Sequence, residues 1–359
     1  MQTIGLKDAP PVSVGFVGFH HLFHPVWNNV TLSLTDRFAL RVSEPDQHGV
    51  LDVTPDVLFC SVYEKPHLHP RYDECLKVFT CEENIRTPWD ECSYAMTGDY
   101  VESPSHLRLP IYVRVLRHLR DQDCIKNHLV PDPNLTLVKD LDTDWKKIVT
   151  SKTKFCCFVN SNGSARERIR LFELLSKYKR VDSGGAVLNN LGYRVSDKLP
   201  FIASYKFTIA FENSSYPGYV SEKLVEPMIV NSMPIYWGSS QVDDDFDVRS
   251  FVCANNRRLD DVVDEVVELD RDDDKLAAKL AVPWFHGNRQ NHYCETSHLA
   301  DFFEKIVRRH FPDLLPPKKV CGLCRAATNQ LFRTLAGSVC ANCLVAEPPR
   351  GADCPTRRW

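Results

Sequence analysis

The stretch Tyr205–Ser240, YKFTIAFENSSYPGYVSEKLVEPMIVNSMPIYWGSS, constrains the fold more than any other part of the chain. Phe207 to Phe211 is a short apolar run of the kind expected from a strand buried on both faces. Glu212 and Asn213 follow, then a turn-rich break, Ser214-Ser215-Tyr216-Pro217-Gly218. Tyr219 to Leu224 opens a helix that Ser221 can cap. Met233 to Trp237 is a second apolar run, closed by Gly238. This is a strand–helix–strand unit, so its polar residues fall at the carboxyl end of a parallel strand, where open α/β sheets hold their ligands.

The chain has 359 residues, room for two ordinary domains, and its 43% hydrophobic and 25% charged content is globular. A formal net charge of −3 argues against a broad nucleic-acid footprint, and no nucleic-acid partner is expected. No apolar stretch reaches membrane-spanning length, and the start lacks a basic segment followed by a long apolar core. A cytoplasmic location is therefore expected, with the Golgi lumen as the alternative if an anchor precedes this chain.

Further strands are expected at Pro11–Gly18, Val57–Tyr63, Lys77–Thr80, Tyr94–Gly98, Lys154–Val159 and Phe251–Ala254. Helices are expected at Leu259–Leu269 and His298–Phe311. The first strand leads into a His- and aromatic-rich loop, HHLFHPVWNN, which reads as a packed interdomain loop before it reads as a sugar-stacking surface. An Asp-, Pro- and Asn-rich interval from Arg120 to Lys147 marks the linker. It divides the chain into domains at 1–148 and 149–312, with a Cys-rich tail at 313–359.

Ser164 to Glu167 fits a capping box, with Ser164 at the cap and Glu167 three residues on. That places Arg168 in the first turn of a helix whose amino end favours phosphate. A guanidinium fork there suits diphosphate oxygens, with Arg166 and Arg170 as weaker claimants. Glu82 and Glu83 end the Lys77–Thr80 strand, where the bland reading is a solvated pair. The aspartate runs 243–245 and 272–274 read as solvated, because three neighbours in a loop seldom converge on one metal ion.

FENSSYPGYVSEKL followed by MPIYWGS resembles the donor-site signature of the α1,3/4-fucosyltransferases, with Ser221 where that family more often has Thr. The resemblance implies an α/β architecture of two Rossmann-like domains facing across a cleft (GT-B type), an amino-terminal acceptor domain and a carboxyl-terminal nucleotide-sugar domain. It implies inverting transfer of fucose from GDP-β-L-fucose to a glycan acceptor, α1,3 to N-acetylglucosamine or glucose, without a bound catalytic metal. KVFTCEEN aligned with the family pattern selects Glu83 as general base, with Glu82 in reserve. Arg168 and Lys223 then neutralise the departing diphosphate, and Asn213, Tyr219 and Glu222 match donor-site positions. LRLPIY at 107–112 is also similar to a segment of bacterial members. Two other readings compete: a transferase using another nucleotide sugar such as GDP-mannose, and an adaptor acting through its tail.

Fourteen cysteines need two explanations. Cys60, Cys75, Cys81, Cys92, Cys124, Cys156, Cys157, Cys253, Cys294 and Cys354 are scattered and read as buried thiols. Cys321, Cys324, Cys340 and Cys343 form two Cys-x-x-Cys pairs separated by fifteen residues, which reads as a structural zinc site. Disulfides, which the resemblance associates with secretory-pathway members, are the competing reading. Asn29, Asn134, Asn162 and Asn213 begin Asn-x-Ser/Thr sequons. The last two lie in the expected donor cleft, where a glycan would obstruct binding, and this weighs toward a cytoplasmic chain.

Overall fold

The structure is a computed structural model in which residues 2–5, 10–19, 29–35, 37–46, 49–121 and 138–314 are described. The loop from His20, much of the linker, and the tail with Cys321, Cys324, Cys340 and Cys343 lie outside them.

The amino-terminal sheet has seven strands: β1 (Gln2–Gly5), β2 (Val12–Val17), β3 (Ala39–Ser43), β4 (Val57–Cys60), β5 (Leu76–Thr80), β6 (Tyr94–Thr97) and β7 (His106–Arg108). Their spatial order is β1-β3-β2-β4-β5-β6-β7, parallel except for β1 against β3. Helix α1 (Asn29–Leu34) precedes β3, and α2 (Ile111–Asp121) follows Pro110, whose ring cannot extend a helix backwards. The four strands expected here are present, three of them trimmed and the one at Lys77–Thr80 longer by Leu76. β1, β3 and β7 were not anticipated, because QTIG, ALRVS and HLR are interrupted by polar residues and lack the continuous apolar run that marks a strand such as β4, VLFC.

The second sheet has five parallel strands: β8 (Lys154–Phe158), β9 (Val181–Ser183), β10 (Tyr205–Phe211), β11 (Met233–Trp237) and β12 (Val252–Cys253). Their order, β12-β11-β10-β8-β9, reverses direction between β8 and β10. β10 pairs with both β8 and β11, and all but Lys206 of its residues are buried, as its apolar run requires. Helices α3 (Trp145–Ser151), α4 (Arg166–Tyr178), α5 (Lys198–Ala203), α6 (Glu222–Ile229), α7 (Val242–Asp245), α8 (Leu259–Arg271) and α9 (Asp273–Ala281) complete this half.

The last helix, α10 (Thr296–His310), crosses back to the amino-terminal half. Phe303 meets Phe38 edge-on at 5.0 Å and stacks on Phe59 at 6.0 Å, while His310 Nε2 lies 2.9 Å from Tyr94 Oη. Chain order alone gives no sign of this return.

Two local expectations need correction. The capping box does not form: Ala165 is the cap of α4, and Ser164 instead turns its N–H and hydroxyl onto Asn162 Oδ1, at 2.9 and 2.6 Å. The local Asn turn competes for the serine and wins. The first aspartate run is not simply solvated. It forms α7, and Asp245 is buried. Asp272 caps α9 through the N–H groups of Asp274 and Lys275.

Asp245 is buried because it joins the two halves. Arg108 on β7 gives it a two-pronged ion pair, Nη1 to Oδ1 at 2.8 Å and Nη2 to Oδ2 at 2.7 Å. The guanidinium is held between the rings of Tyr100 (4.0 Å) and Tyr293 (4.6 Å). Beside it, Tyr112 packs edge-on against Phe246, and its N–H donates to Val220 O. Gly98 and Gly218 touch across the same joint. A Cβ on Gly218, whose φ is +84°, would lie 2.1 Å from Gly98 O, so both positions need glycine.

Candidate active site

The ends of β8 and β10 flank the point where strand order reverses, the crevice that open α/β sheets use for ligands. Arg168, in the first turn of α4, spans it. Its Nη2 donates to Phe211 O at 2.7 Å and to Asn213 Oδ1 at 2.9 Å, and the side chain is almost fully buried. Arg166 and Arg170 are exposed on the same helix, so burial singles out Arg168 among the three. Its Nε is buried with no partner among the described residues. Burial works against its charge and lowers its pKa, against the upward pull of Glu212.

Across the crevice, Ser221 caps α6, as expected. Its N–H and hydroxyl both donate to Glu212, whose carboxylate is fully buried. Lys223 Nζ reaches Glu212 Oε2 at 3.3 Å and Glu222 Oε1 at 3.0 Å. Burial would lower the Lys223 pKa, but these two carboxylates hold it well above the usual range. Burial would likewise raise Glu222, yet Lys223 and Lys198 hold it down. Lys198 in turn pairs with Glu226 at 2.5 Å. Glu212 was not singled out as a site residue, although it stands beside Asn213 in the quoted motif. A buried carboxylate is a feature of packing, and the sequence alone shows only an acid at a strand end.

Glu83 enters from the other half, in the loop after β5. It lines a pocket with Arg86, Asp99 and Ile111 of the amino-terminal half and Gly218 and Tyr219 of the other. Burial raises its pKa; among nearby charges, Lys223 opposes this most, while Glu222 and Glu82 add to it. Glu83 of one half thus lies within electrostatic reach of Lys223 and Glu222 of the other, and Glu222 and Tyr219 in turn act on Arg168. Glu82 points to Arg114 instead, 3.6 Å from its Nη1. Of the donor and base set expected from the sequence, Glu83 and Tyr219 line this pocket, Lys223 and Glu222 lie close enough to act on the Glu83 charge, and Arg168 and Asn213 are bonded to each other at the end of β10. Among the described residues no group of three or more His, Cys, Asp or Glu could hold a metal, and no helix is long and apolar enough to cross a membrane.

Two α/β sheets, parallel but for β1, with a charged cleft between them are the arrangement of the GT-B glycosyltransferase fold. A crystal structure of an alpha1,3-fucosyltransferase superposes with a TM-score of 0.68 over 86% of this chain and 93% of that one, at 23% identity. The structure of such an enzyme with GDP-fucose gives 0.66 over the same shares. Residues 149–330 match the family model for glycosyltransferase family 10 (fucosyltransferase), C-terminal part, and residues 14–115 match the alpha-(1,3)-fucosyltransferase FucT N-terminal domain. The chain belongs to glycosyltransferase family 10. It is 31% identical to the alpha-(1,3)-fucosyltransferase FucT of Helicobacter pylori over 54% of its own length and 44% of that protein's. It is 34% identical to the human 4-galactosyl-N-acetylglucosaminide 3-alpha-L-fucosyltransferase 9 over 26% of each chain. It thus spans less than half the length of these curated relatives.

Proposed function

We propose that this chain transfers L-fucose from GDP-β-L-fucose to a hydroxyl of a glycan acceptor, with inversion, in α1,3 linkage to N-acetylglucosamine or glucose. The observation that carries this reading is the convergence of Glu83 from one half with Lys223 and Glu222 from the other at one cleft. The acceptor oxygen attacks the anomeric carbon from the face opposite the diphosphate, and its proton passes to the Glu83 carboxylate. The bond from that carbon to the β-phosphate oxygen breaks, and its electron pair leaves with GDP. Arg168 and Lys223 stabilise the charge that develops on the leaving group. Asn213 orients Arg168 through its 2.9 Å hydrogen bond. Tyr219 walls the cleft, and Glu222 both holds Lys223 and faces the donor. No step in this sequence uses a metal.

The deciding assay is GDP release from GDP-fucose with galactose- and N-acetylglucosamine-terminated acceptors, GDP-mannose serving as the competing donor. Acceptor-dependent release should disappear in Glu83→Gln while GDP still binds. Failure of the wild-type chain to bind GDP-fucose would overturn the reading.

The tail belongs to the same proposal. Cys321, Cys324, Cys340 and Cys343 supply the four thiolates of a tetrahedral zinc site with no part in catalysis. Such a site fits a reducing, cytoplasmic location, and the free thiols of Cys156 and Cys157 in β8 are compatible with one.

A further inference from the structure

Two contacts fasten the loop that carries Glu83 to the loop that precedes Tyr219. Asn84 Nδ2 donates to Ser214 Oγ at 2.7 Å, and the Arg86 guanidinium lies over the Tyr216 ring, 3.5 Å from its centroid. Arg86 is itself held by an ion pair to Asp99, which is buried, and by a hydrogen bond to Asn84 Oδ1. The Tyr216 loop is anchored at its other end by the Gly98–Gly218 contact. One face of the ring is therefore backed by a fixed cation, yet 40% of Tyr216 remains exposed. Arg86 and Glu83 line the same pocket, so this ring is joined through Arg86 to the cavity that holds the base.

We propose that Tyr216, backed by Arg86, is the acceptor platform of this site. Its open face stacks on the apolar C–H face of the sugar next to the one whose hydroxyl Glu83 deprotonates. The inference rests on the reading of Glu83 as the base. Pyranose rings present such an apolar face, and an aromatic ring covers it without competing for the hydroxyls. A ring already fixed by Arg86 and the loop loses little freedom when the sugar arrives. The acceptor class is thus a glycan of at least two sugars.

The test compares N-acetyllactosamine with free N-acetylglucosamine as acceptors for the wild-type, Tyr216→Ala and Tyr216→Phe chains. Tyr216→Ala should raise the KM for the disaccharide roughly tenfold, the scale of one aromatic stacking contact. The KM for the monosaccharide and for GDP-fucose should move less than about twofold on the same scale, and Tyr216→Phe should restore the disaccharide value. An unchanged disaccharide KM, or an equal rise for both acceptors, overturns the platform and leaves the base reading intact. Turnover of neither acceptor by a wild-type chain that binds GDP-fucose overturns the acceptor class while sparing the donor site. Full activity in Glu83→Gln removes the base reading, and the platform falls with it.

Discussion

Replacing Arg108 with Met should destabilise this protein by about 4 kcal/mol, because it strands a buried charge at the joint between the two halves. The Asp245 side chain is 1% exposed and the Arg108 side chain 8%, so neither is solvated by water when its partner is lost. Breaking such a buried pair from one side costs about 3–5 kcal/mol. Loss of the stacking on Tyr100 and Tyr293 adds about 0.5–1 kcal/mol per ring. The hydrogen bond from Asn291 Nδ2 to Asp245 Oδ1, 3.3 Å long, survives and offsets part of this. The double variant Arg108→Met/Asp245→Leu should recover most of the loss, since a packed apolar pair removes the desolvation penalty instead of exposing it. Urea unfolding followed by tryptophan fluorescence, run as a double-mutant cycle, measures both quantities. A single variant that loses less than about 1 kcal/mol, the size of an exposed pair, would refute the argument.

The pH dependence follows from the direction of the Glu83 shift. Burial and the neighbouring carboxylates raise it above the ordinary 4.5, and the proposed base works only when deprotonated. The acid limb of kcat/KM should therefore lie above pH 4.5, with activity lost as pH falls through the raised value. A limb at or below 4.5 would contradict this environment. For the tail, metal analysis of the full chain purified under reducing conditions should find about one zinc per chain, lost in Cys324→Ser/Cys340→Ser. A zinc-free chain with these cysteines oxidised would establish disulfides instead.

Much of the carboxyl-terminal half was legible because its signals are local. An apolar run bounded by turns reads as a buried strand, and Phe207–Phe211 and Met233–Trp237 behave accordingly. Ser221 caps α6 because the cap needs only a hydroxyl next to free N–H groups. The capping box at Ser164 failed for an equally local reason, since Asn162 captured the serine first. β1, β3 and β7 were missed because polar residues interrupt them, so no continuous apolar run marks them as buried strands.

By itself the sequence determined the alternation of strands and helices, the family resemblance, and which residue types stand at the strand ends. Those properties depend on neighbours within a few positions. Only the tertiary structure decided that Arg168 rather than Arg166 or Arg170 reaches β10, and that Glu212 is a fully buried partner of Lys223. It also turned Asp245 from one acid in a run into half of an interdomain ion pair, 137 residues from Arg108. Desolvation and long-range pairing set those roles. Both depend on which distant segments exclude water from a side chain, and that becomes defined only when the two sheets and the returning α10 have packed together.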